Sequence, residues 1–259
     1  MGCSGVKVED NVRIKNKAKK VVDETKYILS FGLVQRVGIK ILNPNIQLEV
    51  IHVESIDSTM PASREYIDGG NKLPFIYNTA IQTAGKGKGN RKWAGSIKGN
   101  LYTSVGIPLS YIKNELNNND IIVKITAISI MEELNRYTQD QYYLKYPNDI
   151  ICKDKNKIGG IIAEEYKDFY IIGFGLNVIE KPDKSSIRVS GLDPCCIKEH
   201  FPNNCELPTA LEFSEEITEN ILYNLNLSCD DVNTLYNNYM KEDNKKDQWI
   251  WWSPDFRMK

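Results

Sequence analysis

Histidine is scarce in this chain of 259 residues, which has only His52 and His200. The six cysteines (Cys3, Cys152, Cys195, Cys196, Cys205 and Cys229) form no Cys-x-x-Cys pair and stand at no ligand spacing from either histidine. On spacing alone a zinc site is not expected. No apolar run reaches the length of a membrane-spanning helix, and no charged and then apolar leader opens the chain. These absences point to a reduced, cytoplasmic protein. One segment bears on membranes: in Met1-Gly2-Cys3-Ser4 both Gly2 and Cys3 are acylatable, although Val6 stands where the myristoylation pattern has Ser or Thr. The remaining composition is that of a soluble globular protein, with 41% hydrophobic residues and 33 bases against 34 acids for a net charge of −1. A chain of this length buries a core without disulfide or metal staples.

Acidic residues are missing altogether from Gly69 to Asn114, a stretch that holds Lys72, Lys86, Lys88, Arg91, Lys92, Lys98 and Lys113. From Cys205 to Asn244 the balance reverses, with nine acids against Lys241. Residues 1–48 read as a basic N-terminal extension (Arg13, Lys15, Lys17, Lys19, Lys20), too short for a helix-turn-helix reader, so no nucleic acid partner is expected. Residues 49–244 read as one α+β domain, and 245–259 as a short tail around Trp249-Ile-Trp-Trp252.

Within that domain Glu49–Ser55 alternates like a strand, Thr59–Tyr66 reads as a short helix with Pro61 near its first turn, and Phe75–Ile81 and Leu101–Ile107 read as further strands. Ile121, Ile125, Ile128, Met131, Leu134 and Tyr137 form a stripe at spacing three and four, an amphipathic helix capped from the Asn117–Asp120 loop. Four short strands follow at Tyr142–Lys145, Ile150–Lys153, Lys157–Glu164 and Phe169–Gly175. Successive short strands imply a mixed, mainly antiparallel sheet. Two more helices start from the capping box Thr209-x-x-Glu212 and from Ser228.

Three segments carry chemistry. Gln82-Thr-Ala-Gly-Lys-Gly-Lys-Gly-Asn-Arg-Lys-Trp93 alternates glycine with lysine, which lets backbone approach an anion while ammonium groups neutralise it. It is neither a Walker A loop nor a dinucleotide fingerprint, because the required Ser/Thr and third Gly are absent. Lys145-Tyr-Pro-Asn-Asp149 and Lys157-Ile-Gly-Gly-Ile-Ile162 place two lysines and an aspartate on adjacent strands, where such groups need partners. Gly173-Phe-Gly-Leu-Asn-Val178 ends the last strand with glycines that permit close approach or only a bend. Ser58-Thr59 reads equally as a ligand contact and as the cap of the first helix.

In order and spacing, Ile56-Asp57-Ser58-Thr59, Gln82–Trp93, Gly99-Asn-Leu-Tyr-Thr-Ser104, Lys145–Asp149, Lys157–Ile162 and Gly173–Val178 together resemble the biotin–protein ligases. The resemblance covers about residues 50–178 and continues weakly to about 244. It implies a fold like the class II aminoacyl-tRNA-synthetase-like catalytic domain of biotin/lipoate ligases. It also implies an activity: with ATP and Mg²⁺, biotin becomes biotinyl-5'-AMP and is then passed to a lysine of a biotin carboxyl carrier domain. A homodimer is left open. Lys157, Lys88 and Lys86 would be catalytic. Ser58, Thr59 and Gln82 would bind the ureido end of biotin, with Gly85, Lys86, Gly87, Lys88, Lys157 and Gly160 completing its site. Lys88, Arg91, Trp93, Lys145, Asn148, Asp149 and Asn177 would take ATP or the adenylate, with Asp149 the candidate magnesium ligand.

This sequence departs from the family pattern in having Lys86 and Lys88 for arginines, Met60 for Asn and Tyr146 for Trp, and in leaving little room for the family's small C-terminal β-domain. A lipoate or octanoate ligase or transferase of the same fold, and a non-catalytic biotin sensor, are the rival readings. The Gly-Lys-Gly-Lys-Gly loop and Pro147 favour biotin.

Overall fold

A computed structural model describes residues 46–89, 91–138, 141–183, 192–201 and 206–240, together with the backbone of 20–21, 28–29 and 32–42. The Gly2/Cys3 acylation motif, the basic residues Arg13 to Lys19 and the Trp249–Trp252 tail lie outside the described residues.

Ten strands form one sheet: β1 (Lys20–Val21), β2 (Ile28–Leu29), β3 (Gly32–Leu42), β4 (Ile46–Ile56), β5 (Phe75–Gln82), β6 (Leu101–Pro108), β7 (Tyr142–Lys145), β8 (Asp149–Cys152), β9 (Lys157–Tyr166) and β10 (Phe169–Leu176). The spatial order is β1-β3-β4-β5-β6-β10-β9-β8-β7, with β2 paired to β3. Every pairing is antiparallel except β4 with β5, which run parallel on either side of the crossover helix α1 (Thr59–Asp68). The expected mixed, mainly antiparallel sheet is present. The domain boundary expected at residue 49 falls inside β4, and Gly32–Leu42 pairs along β4 from Val34↔Val53 to Leu42↔Ile46. Val37, Ile39 and Ile41 alternate there with Gly38 and Lys40, a strand period hidden by the basic composition around it.

Alternation along the strands gives the sheet two apolar faces. On β5, Phe75 and Tyr77 join the cluster under α1, while Ile76 joins the larger cluster on the other face. On β10, Phe169 and Ile171 belong to the α1 side, and Tyr170, Ile172, Phe174 and Leu176 to the opposite side. The larger core is built against α2 (Asn119–Asn135), α3 (Ala210–Asn224) and α4 (Cys229–Tyr239). The caps form as read. Asn118 Oδ1 accepts from the Asp120 N–H at 2.8 Å, and Thr209 and Ser228 form capping boxes with Glu212 and Asp231. Helix α2 is more than the expected amphipathic helix. Ile122, Thr126, Ser129, Ile130 and Glu133, all off the predicted stripe, are buried as well, because α3 and α4 pack over its outer side.

Gly106 on β6 faces Phe75, and a Cβ built there would lie 2.0 Å from the ring. Phe75 is itself held by Tyr66 edge-on at 5.0 Å and by Phe169 at 6.1 Å. The ring has nowhere to withdraw. Gly106→Ala is expected to destabilise the protein by about 1–3 kcal/mol, the usual cost of overpacking, seen as a lower denaturant midpoint at unchanged m-value.

Candidate functional site

The α1 side of the sheet loses its large side chains toward the ends of β9 and β10. After Phe169 and Ile171, the same face of β10 continues with Gly173 and Gly175, and Gly175 pairs across to Gly160 of β9. The Trp93 indole lies over this glycine pair. A Cβ at Gly175 would be 2.6 Å from Trp93 Cε2, and one at Gly160 would be 3.3 Å from Cζ3. The close approach that the glycines permit is therefore made, in this structure, by an indole ring. Its Nε1 is buried and has no hydrogen-bond partner among the described residues. Gly173 leaves room for Met60, whose Sδ would stand 2.8 Å from a Cβ there. Together these residues floor a pocket of about 1000 Å³, part of it continuous with solvent.

One corner of the pocket is a polar network. Gln82 Oε1 accepts from the Thr59 N–H at 2.8 Å and from Thr59 Oγ1 at 3.3 Å, and Ser104 Oγ donates to Thr59 Oγ1 at 2.7 Å. With its oxygen engaged, Gln82 keeps its amide N–H groups for a ligand. Ser58 occupies the N-cap position of α1, yet its side chain makes no capping bond to the helix. Its hydroxyl instead lines the pocket, so the ligand-contact reading fits better than the cap reading.

The opposite wall is cationic. Lys86, Lys88, Arg91, Lys92 and Lys157 line the pocket, and none of its described lining residues is acidic. The glycine-lysine loop folds back on itself: the Gly87 N–H donates to the Arg91 carbonyl at 2.8 Å, the Trp93 N–H to the Gly85 carbonyl at 2.9 Å, and Arg91 Nε to the Lys88 carbonyl at 3.1 Å. Gly89 has φ +67°, the left-handed turn that glycine tolerates. Lys86, Lys88 and Arg91 are exposed, whereas Lys157 is 19% exposed and paired with Asp149 at 2.5 Å. Lys157 Nζ also lies 5.5 Å from the centre of the Trp93 ring. Arg64, at the outer edge of the groove beside Met60 and Lys86, is committed elsewhere. Hydrogen bonds to Glu164 at 2.7 and 2.5 Å raise its pKa against the lowering effect of burial.

Most of the candidate site residues converge here. Ser58, Thr59, Gln82, Lys86, Gly87, Lys88, Arg91, Trp93, Asn148, Lys157, Gly160 and Asn177 line the pocket. Gly85 is buried behind the loop against Trp93. Lys145 and Asp149 face each other across the β7–β8 pair and stand outside the lining. Asp149 serves Lys157, and the lining offers no other carboxylate. Where magnesium binds with a nucleotide, phosphate oxygens and waters supply most of its ligands, and Asp149 stands next to the pocket through its pair with Lys157. Asn148 Nδ2 donates to the Ile161 carbonyl at 2.8 Å, and Asn177 Nδ2 to the Cys195 carbonyl at 3.0 Å, so both amides also hold backbone.

Reading motifs along the chain missed Ser104 and the role of Asn100 as a clamp. Asn100 Oδ1 accepts from the Val178 and Ile179 N–H groups at 2.9 and 3.0 Å, and Nδ2 donates to the Glu180 carbonyl at 2.7 Å. Both residues stand in the Gly99–Ser104 segment that the resemblance singles out, which assigned them no role.

The described lining of the pocket thus combines a hydrogen-bonded polar corner with five cations and no acid. Residues 53–177 match the biotin/lipoate A/B protein ligase family. It is 28% identical over 104 residues to the biotin–[acetyl-CoA-carboxylase] ligase of Mycobacterium tuberculosis, across 40% of this chain and 39% of that protein. Against the biotin–protein ligase of Homo sapiens it is 29% identical over 129 residues, across 46% of this chain and 18% of that protein. The matches thus span well under half the length of these curated relatives. The crystal structure of the biotin protein ligase from Leishmania major in complex with biotinyl-5-AMP has the same fold, with a TM-score of 0.65 at 24% identity over 78% of this chain and 83% of that one.

Proposed function

We propose that this protein is an ATP-dependent biotin–protein ligase, forming biotinyl-5'-AMP and passing biotin to a lysine of a biotin carboxyl carrier domain. The observation that carries the reading is one pocket whose described lining holds five cations and no acid together with Ser58, Thr59, Gln82 and the glycines at 160, 173 and 175. Bringing a carboxylate up to a triphosphate opposes like charges, and fixed cations in a partly dry site offset that repulsion.

In the first step a biotin carboxylate oxygen attacks the α-phosphorus and pyrophosphate leaves. Lys157, held by Asp149, stabilises the charge that builds on the phosphoryl oxygens, and Lys86, Lys88 and Arg91 meet the departing pyrophosphate. In the second step the acceptor lysine's amine attacks the acyl carbon and AMP leaves with the bonding pair. Gln82 and Ser58 hold the ureido end throughout, and Trp93 packs against the adenylate side.

Two assays on the full chain test this. Pyrophosphate exchange with biotin, lipoate or octanoate as sole acid is expected only with biotin, and exchange confined to lipoate or octanoate overturns the reading. Incubation with ATP, Mg²⁺, biotin and a carrier domain is expected to give a streptavidin-reactive carrier. Tight biotin binding without either signal would make the protein a sensor instead.

Lys86 and Lys88 of the loop also close the pocket against water and bystander amines. Lys88→Gly is therefore expected to release adenylate and to label non-carrier lysines in a protein mixture. Unchanged selectivity there would count against a closing role for the loop.

A further inference from the structure

Behind Lys157, on the side away from the pocket, the fold assembles a cluster that spacing along the chain gave no reason to expect. Cys152 ends β8, Cys195 lies in the segment leading to a 3₁₀ turn at Ile197–His200, and His200 closes that turn. The two sulfurs and a ring nitrogen of His200 all lie within 4.8 Å of one another. Cys152 is 0% and Cys195 2% exposed. His200 Nε2 is a buried nitrogen with no hydrogen-bond partner among the described residues. An unpaired buried polar nitrogen is costly to leave in a core. Here it shares a small space with two thiols that make no disulfide.

From this geometry we propose that Cys152, Cys195 and His200 form a structural binding site for a zinc-type divalent ion. Tetrahedral zinc at its usual bond lengths sets neighbouring sulfur and nitrogen ligands about 3.5–3.8 Å apart, so the three side chains need only draw in around the ion. Binding displaces one proton from each thiol. The two thiolates then cancel the charge of the ion beside a neutral imidazole, a combination with no net charge to bury. Solvent supplies the fourth ligand. Sulfur with imidazole is a zinc donor set rather than a magnesium or calcium one.

The backbone around the site is already fixed. The Cys152 N–H donates to the Asn156 carbonyl at 2.9 Å, the Cys195 N–H to the Lys157 carbonyl at 3.0 Å, and the Ile197 N–H to the Asn177 carbonyl at 2.8 Å. Tyr142, paired across the strands with Cys152, stands edge-on to the His200 ring at 6.0 Å and closes one side. The same segment holds the pocket, since the Lys157 N–H donates to the Asp193 carbonyl at 2.7 Å. An ion bound here ties the 193–200 segment to β8 and stiffens a strap whose backbone bonds to Lys157 and Asn177. The site is distinct from the pocket lining, and its test reads metal rather than biotinylation.

The full chain, purified without chelator, is expected to carry one zinc ion by elemental analysis. After chelator treatment, cobalt(II) chloride is expected to restore a thiolate-to-metal charge-transfer band. Cys152→Ser, Cys195→Ser and His200→Ala should each weaken zinc binding by more than the about 10–100-fold that loss of an outer-shell partner costs. His200 is only partly buried, so His200→Ala keeps the test open should the cysteine variants fail to fold. Zinc content no higher in the wild type than in His200→Ala, together with absence of the cobalt band, overturns the proposal. An intact mass two hydrogens light that maps to a Cys152–Cys195 disulfide in the freshly purified chain overturns it too.

Discussion

Lys157→Ala is expected to lower biotin-dependent pyrophosphate exchange about 10²–10³-fold, the usual cost of removing one preorganised donor at a transition state. Among the five cations on the pocket wall, Lys157 alone is held from several directions. Its ammonium meets Asp149 at 2.5 Å and lies over Trp93, while its backbone bonds to Asp193 and Cys195 on the neighbouring segment. Lys86, Lys88, Arg91 and Lys92 sit exposed on the loop, where water screens them and their geometry is freer. Removing Lys157 also leaves the Asp149 carboxylate, 18% exposed, without its partner, so the single variant should melt earlier as well. The double variant with Asp149→Asn separates the two effects. It is expected to recover most of the stability and none of the exchange. Wild-type exchange in Lys157→Ala would remove the lysine from the mechanism.

Gly95→Ala is expected to raise the KM for biotin about tenfold or more while leaving that for ATP nearly unchanged. A Cβ at this position would stand 2.5 Å from Gln82 Cβ and 2.7 Å from the Gln82 carbonyl oxygen, which is backbone and cannot rotate away. The two residues are already tied by the Gln82 N–H donating to the Gly95 carbonyl at 2.7 Å. Overpacking of about 1–3 kcal/mol would be relieved by moving Gln82, which disturbs the bonds it accepts from Thr59 at 2.8 and 3.3 Å. Loss of one hydrogen bond to the ligand, about 1.5 kcal/mol, corresponds to roughly tenfold in affinity. Biotin titration of the variant, with its melting curve as control, checks this. Unchanged biotin affinity would show that Gln82 does not read the ligand's head.

Most elements of the sheet and the helices were legible because the strands are short apolar runs bounded by turns and because α2, α3 and α4 carry side-chain caps. Lys157–Tyr166 and Cys229–Tyr239 start where the sequence places them, since a turn at Asp154–Asn156 and a capping Ser228 act locally. The burial of α2 on nearly all sides was not legible, because the residues covering it come from α3 and α4, far along the chain. Strand β3 was missed for a related reason. Its edge pairing to β4 stabilises a segment whose basic neighbours make it read as solvated. The pocket was found through motifs, yet the motifs could not say that Asp149 would pair with Lys157, or that Trp93 would rest on Gly160 and Gly175.

The sequence by itself determined the mixed sheet, the order of its local elements and the concentration of cation without acid between Gly69 and Asn114. Those properties are short-range: they depend on periodicity, capping and charge within a few residues. Only the tertiary structure decided which lysine is paired and half-buried and which are exposed, which glycines face each other, and which sulfurs meet a histidine. Each of these depends on strand register, and a register brings together residues tens of positions apart. The scarce histidine shows the difference most plainly. Counted along the chain, His200 has no cysteine at ligand spacing, and in the fold it has Cys152 and Cys195 within 4.8 Å.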